Sequence, residues 1–248
     1  MAAETSPAVE TIDFSSGRRK AQVAMLLYPD CTLLDFAGPH TALVPYADIH
    51  LVWETLDPVI TDSGVTVHPT MTFEQCPAEL DVLFVPGGTG QTRAVLNQKA
   101  LHFLTDRGAQ AKYVTSVCTG ALVLGAAGLL NGYRAGTHWS VRDLLPLVGA
   151  TPVNERVVID GNRITGGGIT AGIDFGLTLL AKLVDEEAAQ TSQLAMEYAP
   201  EPPFDAGLPE QAPPAVVERL TTMMAGPIGE ITRALEDLRP GDTDRPIR

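Results

Sequence analysis

Basic residues are scarce in this 248-residue chain: 17 Lys and Arg stand against 30 Asp and Glu, a formal charge of −13. Nucleic acids and anionic membrane surfaces are bound through a basic footprint, so the balance argues against both as partners. Cysteine is equally sparse. Cys31, Cys76 and Cys118 form an odd set with no C-x-x-C, which weighs against a disulfide framework and a cysteine-rich zinc centre. No spacing of His, Asp or Glu suggests a metal site, and nothing calls for a cofactor. No apolar run approaches the ~18 residues of a membrane-spanning helix, and no basic stretch followed by an apolar one opens the chain. The expectation is a soluble, cytoplasmic protein. Hydrophobic residues at 45% against charged residues at 19% are those of a globular chain. The length suits one large domain, or one domain with an appendage.

What is present alternates. AQVAMLLYP from Ala21, HLVWETL (50–56), DVLFVPGG (81–88) and KYVTSV (112–117) read as buried strands. LLDFAGPHTALV, residues 92–108, TGALVLGAAGLL, 140–147, Thr170 to Val184 and 186–198 read as helices. Ser63-Gly64 and Asp160-Gly161-Asn162 sit between β-branched runs as hairpin turns. Strands alternating with helices imply an α/β fold with a mostly parallel sheet, whose ligands bind beyond the carboxyl ends of the strands. Residues 1–20 read as a flexible tail, 21–200 as the α/β domain, and 201–248 as a Pro-rich extension with short helices, in which VVERLTTMMAGPIGEITRALEDL forms one or two amphipathic helices, and an unstructured end.

Five motifs fall just after strands. The first is VTSVCTG (114–120), which places Cys118 at a strand-to-helix junction. There the helix N-terminus favours thiolate and a tight turn exposes the sulfur, as in nucleophile elbows. The alternative is a small buried apolar residue. The second is PGGTG (86–90), either a plain turn or a ligand-facing loop in which the amides of Gly88 and Thr119 form a two-donor anion hole. The third is LDFAGP (34–39). Asp35 is either a helix N-cap or a carboxyl aimed at Cys118, where two adjacent acids would share one proton and make Asp35 a general acid. The fourth is Thr137-His138-Trp139, with His138 either a base for the thiol or a structural histidine. The fifth is TGGGITAGID (165–174), where Gly168, Ile169 and Thr170 form either a helix start, with Thr170 as N-cap, or one wall of a cleft.

The stretches LLDFAGPH, DVLFVPGGTG, YVTSVCTGALVLGAAGLLNG, THW, ERVVIDGNRITGGGITAGIDFGLTLLAKL and EYAPEPPFDAG resemble the PfpI branch of the class I glutamine amidotransferase-like superfamily, and within it the isonitrile hydratases. The resemblance covers roughly Ala21 to Gly207. It implies a flavodoxin-like sandwich, a cysteine nucleophile elbow and a homodimer, with Cys118 as nucleophile, Asp35 as its carboxyl partner and Thr119 beside it. It also implies cofactor-independent hydration of an isonitrile by water to an N-substituted formamide. Two rivals use the same cysteine: glyoxalase-like hydration of α-oxoaldehydes, and a non-enzymatic redox- or ligand-sensing dimer. Many protease-like members carry His directly after the nucleophile; Thr119 stands there in this chain.

Overall fold

The computed structural model describes residues 12–238. Residues 1–11 of the expected tail and the expected unstructured end, 239–248, lie outside the described residues. The part of the tail that is described is tied down. Phe14 packs edge-on against Tyr46, and Arg19 pairs with Asp81 at 2.8 Å.

In chain order the first half of the fold is β1 (Ala21–Leu26), α1 (Leu33–Leu43), β2 (Ala47–Trp53), a hairpin of β3 (Val59–Ile60) and β4 (Thr66–Val67), then β5 (Met71–Thr72), β6 (Val82–Val85), α2 (Gln91–Leu96) and α3 (Gln98–Gly108). The second half is β7 (Tyr113–Val117), α4 (Gly120–Ala126), β8 (Arg134–Ala135), a 3₁₀ stretch (Trp139–Val148), β9 (Thr151–Pro152), β10 (Val157–Asp160), β11 (Arg163–Gly166), α5 (Ala171–Leu183), α6 (Glu186–Ala195) and α7 (Pro214–Asp237).

Seven strands form one sheet in the order β10-β11-β7-β6-β1-β2-β5, parallel throughout except for β10. Met25, Leu26, Val82, Leu83, Val114 and Ile164 are fully buried, because helices cover both faces and leave no solvated side for polar alternation. One helical layer is α1, α5 and α6; α2, α3, α4, the 3₁₀ stretch and α7 pack among themselves as the other. The expected α/β architecture with a mostly parallel central sheet is therefore what the chain adopts.

Local chemistry explains the departures in detail. The helix expected over 92–108 is two, because Asn97 turns extended (φ −84°, ψ 100°) and its side chain accepts from the Ala100 N–H at 3.1 Å, capping α3. TGALVLGAAGLL is helical only to Ala126, since Gly128 takes φ +76° and closes the helix end. Residues 140–147 tighten into 3₁₀ geometry ended by Gly149 at φ +76°. Both hairpin turns form, with Gly64 at φ +81° and Gly161 at φ +59°.

The extension is corrected most. Of the one or two short helices expected there, the chain forms one, and it is long: the 24-residue α7, opened by Pro214 at its first turn and running through Pro227. Pro227 removes the bond to the Met223 carbonyl, but Met223 is exposed, so water can take that partner's place. Ile231, Ala234 and Leu235 near its end are buried, which anchors α7 on the domain, while Val216, Leu220 and Met223 stay exposed.

The layers meet closely at glycine. A Cβ on Gly176 would lie 2.8 Å from Pro39 Cα, so α5 seats directly on α1. A Cβ on Gly120 would lie 2.2 Å from the Val85 carbonyl oxygen and 2.7 Å from that of Pro86. Backbone cannot yield as a flexible side chain does. Gly120→Ala is expected to lower unfolding free energy by about 2 kcal/mol or more. A urea titration would show this as a reduced midpoint at unchanged slope.

Candidate active site

The carboxyl ends of β1, β6, β7 and β11 deliver four turns to one place. Cys118 follows β7 directly, at φ +56°, a left-handed conformation that side chains other than glycine and Asn/Asp rarely adopt. Its N–H donates to the carbonyls of Gly166 (3.2 Å) and Gly167 (2.8 Å), and its own carbonyl accepts from Thr137 Oγ1 at 2.7 Å. Those bonds, from β11's end and from the loop before the 3₁₀ stretch, hold the strained residue in place. The elbow expected from VTSVCTG is present, and its sulfur sits in a nearly enclosed position: Cys118 is 5% exposed.

Asp35 is completely buried. It is not the N-cap of α1. Thr32 occupies that position, and Asp35 lies in the first turn with its N–H donating to the Thr32 carbonyl at 3.2 Å. Its carboxyl leaves the helix toward β6, where Oδ2 accepts from the Gly87 N–H at 2.7 Å. Oδ1 has no hydrogen-bond partner among the described residues. The carboxyl meets the Cys118 thiol, and the two perturb each other. Burial raises Asp35 from its ordinary 3.8 to about 7, against the lowering effects of the Gly87 amide and the Cys118 contact; Asp62 adds a like charge that raises it further. Burial, with the neighbouring Asp35 charge, pushes the Cys118 thiol well above its usual range. Two acids in a dry site resist ionising together, so burial keeps protons on the pair toward neutral pH.

The amides around the sulfur differ from expectation in one member. The N–H groups of Thr119 and Ile169 lie against the Cys118 sulfur and favour its ionised form. The Gly88 N–H, expected to face a ligand, donates instead to Thr119 Oγ1 at 3.1 Å. With φ +137° and Asp30 O only 2.4 Å from where its Cβ would stand, Gly88 is a packing glycine. Gly87 beside it is equally confined, since a Cβ there would meet Thr119 N at 2.5 Å and Asp35 Oδ2 at 2.9 Å.

His138 is engaged away from the thiol. Its Nδ1 pairs with Ser140 Oγ at 2.7 Å, its ring lies under Gly168, and it makes no hydrogen bond to Cys118. Burial, helped by Arg142, lowers its pKa. The 168–170 turn, expected as a helix start or a cleft wall, leads into α5. Gly168 is half-buried, while Ile169 and Thr170 are exposed at the start of α5. Thr170 stands at the N-cap position without capping an amide; Arg156 reaches its hydroxyl at 3.5 Å. Thr137, adjacent to the histidine singled out from sequence, is the residue of that motif that touches the elbow. Asp62, on the β3–β4 turn, was not singled out at all, and carries no local signal beyond its hairpin. Among the described residues no cluster of His, Cys, Asp or Glu could hold a metal, and no helix is long and apolar enough to cross a membrane.

Comparison with known proteins agrees with this geometry. An isonitrile hydratase of Pseudomonas putida is 55% identical over 199 residues, which are 79% of this chain and 87% of that protein. A solved ThiJ/PfpI family protein from Pseudomonas syringae matches with a TM-score of 0.83 at 46% identity, covering 94% of this chain and 97% of the other. A deglycase of Pyrococcus abyssi is 35% identical over 103 residues, 41% of this chain and 62% of the deglycase. The DJ-1/PfpI family profile matches residues 21–182. The parallel sheet, the strained cysteine at the end of β7 and that match together establish that the chain belongs to the DJ-1/PfpI family.

Proposed function

We propose that this protein hydrates isonitriles to N-substituted formamides without a cofactor. The observation that carries the reading is the buried Asp35–Cys118 pair, a nucleophile and a proton donor in contact, in a chain 55% identical to an isonitrile hydratase over most of its length.

The carbon of R–N≡C accepts a nucleophile and then needs a proton at the same atom. The Cys118 thiolate forms the S–C bond, and the Asp35 carboxyl gives its proton to that carbon, leaving a thioimidate, R–N=CH–S. Water adds to the carbon. The Asp35 carboxylate takes one of its protons and passes it to nitrogen. The tetrahedral adduct collapses as Asp35 takes the hydroxyl proton, the C=O bond forms and the C–S bond breaks. Thiolate and protonated carboxyl return together, and the sum is R–NC + H₂O → R–NH–CHO. The Thr119 and Ile169 amides steady the sulfur each time it carries charge.

Cys118→Ala is expected to abolish turnover while leaving the circular dichroism spectrum and melting temperature near those of the parent. Mass spectrometry of N-cyclohexylformamide from cyclohexyl isonitrile reads this directly. Turnover in the variant within tenfold of the parent would rule out the covalent route, and lactate formed from methylglyoxal without any formamide would favour the glyoxalase-like alternative.

The pair also fixes a pH dependence of stability. A carboxyl raised from 3.8 to about 7 binds its proton more tightly folded than unfolded, so its contribution is fully favourable below about 4 and is lost as pH rises through about 7. The loss amounts to up to about 4 kcal/mol. Asp35→Asn keeps an acceptor for the Gly87 amide and cannot ionise. The variant is therefore expected to be more stable than the parent at pH 8, with the difference shrinking toward pH 4. Thermal melts at the two pH values check this; an equal difference at both would mean that Asp35 does not ionise against the fold.

The homodimer belongs to the same reading. Val216, Leu220 and Met223 recur at helical spacing on the exposed part of α7 and give a second copy an apolar stripe to cover. Sedimentation is expected at twice the 26.3 kDa chain mass, and a monomer at micromolar concentration would remove the dimer from the proposal.

A further inference from the structure

The β3–β4 hairpin is docked onto the loop that leads into α1. The Asp30 N–H donates to the Ile60 carbonyl at 2.8 Å, and the Asp62 N–H donates to the Cys31 carbonyl at 3.1 Å. Between these backbone bonds lies a short side-chain contact: Thr32 Oγ1 donates to Asp62 Oδ2 at 2.6 Å. Thr32 is the N-cap residue of α1, with φ −72° and ψ 120°, yet its side chain caps no amide of that helix. An N-cap threonine ordinarily turns its hydroxyl oxygen to the helix's own N–H groups. Here the hydroxyl is turned to Asp62 on a different element.

Thr32 is also gripped by its backbone. Its N–H donates to the Gly87 carbonyl at 2.9 Å, and its carbonyl accepts from the Asp35 N–H at 3.2 Å. The Gly87 N–H closes the loop by donating to Asp35 Oδ2 at 2.7 Å. Asp62, Thr32, Gly87 and Asp35 thus form one connected set, with an exposed carboxylate at one end and the buried carboxyl at the other. Nothing in the hydration steps uses Asp62, and its bond to Thr32 is short and charge-assisted, because the acceptor is a carboxylate.

We propose that Asp62 is a positioning residue for Asp35: by holding Thr32 it fixes the first turn of α1 and so the direction in which Asp35 meets Cys118. This rests on the reading of Asp35 as the proton donor to the substrate carbon.

The titratable groups around Asp35 come from each element packed against it. Cys118 approaches from the β7–α4 elbow, Tyr28 and Cys31 lie in the β1–α1 loop, and Asp62 stands on the hairpin. The β6 turn offers the Gly87 amide, and α5 packs there through Gly172, which carries no charge. Arg93 on α2, a cation near the same loop, is paired with Asp30. Tyr28 and Cys31 are both held neutral by burial, the latter pushed up to about 11. Asp62 is therefore a charged neighbour whose removal changes the proton balance of the pair without removing a reacting group.

The test uses the full chain and two readouts. The first is the pH dependence of Cys118 alkylation by iodoacetamide, followed at that cysteine by peptide mass spectrometry; it needs no isonitrile. The second is kcat and KM for cyclohexyl isonitrile. Asp62→Asn keeps an acceptor for Thr32 but loses the charge. Its alkylation profile should rise about half a pH unit lower than the parent's, with kcat near parental at the plateau. Asp62→Ala and Thr32→Val lose the clasp, and kcat should fall about tenfold with KM changed less than twofold, while Thr32→Ser restores it.

An alkylation profile unmoved in Asp62→Asn, with kcat parental in Asp62→Ala, overturns the proposal. So does a loss of kcat in Thr32→Val that Thr32→Ser fails to restore, which would mark a packing defect. If the parent itself makes no formamide, the hydration reading falls alone: a shifted alkylation profile in Asp62→Asn would still show the control of the pair by Asp62, and an unshifted one would overturn that too.

Discussion

Two acids buried against each other are the constraint on which the rest of the site depends. A thiol and a carboxyl taken out of water each resist ionisation, and the neighbouring Asp35 charge makes ionisation of the thiol harder still. In the proposed reaction, one proton left between them would give a nucleophile and a proton donor without a histidine base. The arrangement is intrinsically unfavourable to the fold. The buried Asp35 Oδ1 without a partner and the left-handed backbone at Cys118 are two local signs of that cost.

The surrounding architecture is what over-determines the pair. Backbone comes unusually close to backbone wherever the four turns meet, and at each such point the side chain is absent: Gly87 against Thr119, Gly88 against Asp30, Gly120 against Val85. Without a Cβ in those places the amides of Gly87 and Thr119 reach the two acids directly. The polar contacts then run in both directions from the elbow. Thr137 holds the Cys118 carbonyl, the Gly166–Gly167 carbonyls hold its amide, and Thr119 uses its hydroxyl to fix the β6 turn. Removing solvent from the pair and restraining the elbow are thus the same act, done by close-packed loops at one edge of a parallel sheet.

Much of this is legible in the sequence, and the reason is short range. Buried strands announce themselves as apolar runs, and VTSVCTG places a cysteine where a strand must turn into a helix. Asp35 was ambiguous because cap and cleft residues look alike within one turn of helix; only the position of Thr32 one turn earlier decides between them. The Gly88 amide was assigned to a ligand because a glycine-rich turn does not disclose which of its amides is already engaged by a hydroxyl from another loop. Asp62 and Thr137 are invisible in the same way, since their partners lie 30 and 19 residues away. Whether the extension holds one helix or two is open in the sequence for a different reason: Gly226-Pro227 is a strong local breaker, and the exposure that lets water replace the lost bond is a property of the tertiary fold.

The same geometry bears on which chemistry the pair suits. Hydration of an α-oxoaldehyde to a hydroxy acid must move hydrogen between two adjacent carbons after the thiolate has attacked one of them, so its acid–base group has to serve a second atom at a distance from the sulfur. An isonitrile asks for both events at one carbon, S–C bond formation and protonation. A carboxyl in contact with the attacking sulfur is placed for that single-atom demand. His138, the candidate for a second centre, is turned to Ser140 and packed under Gly168. With no second base beside the thiol among the described residues, the groups present match a substrate whose carbon is both the electrophile and the proton acceptor.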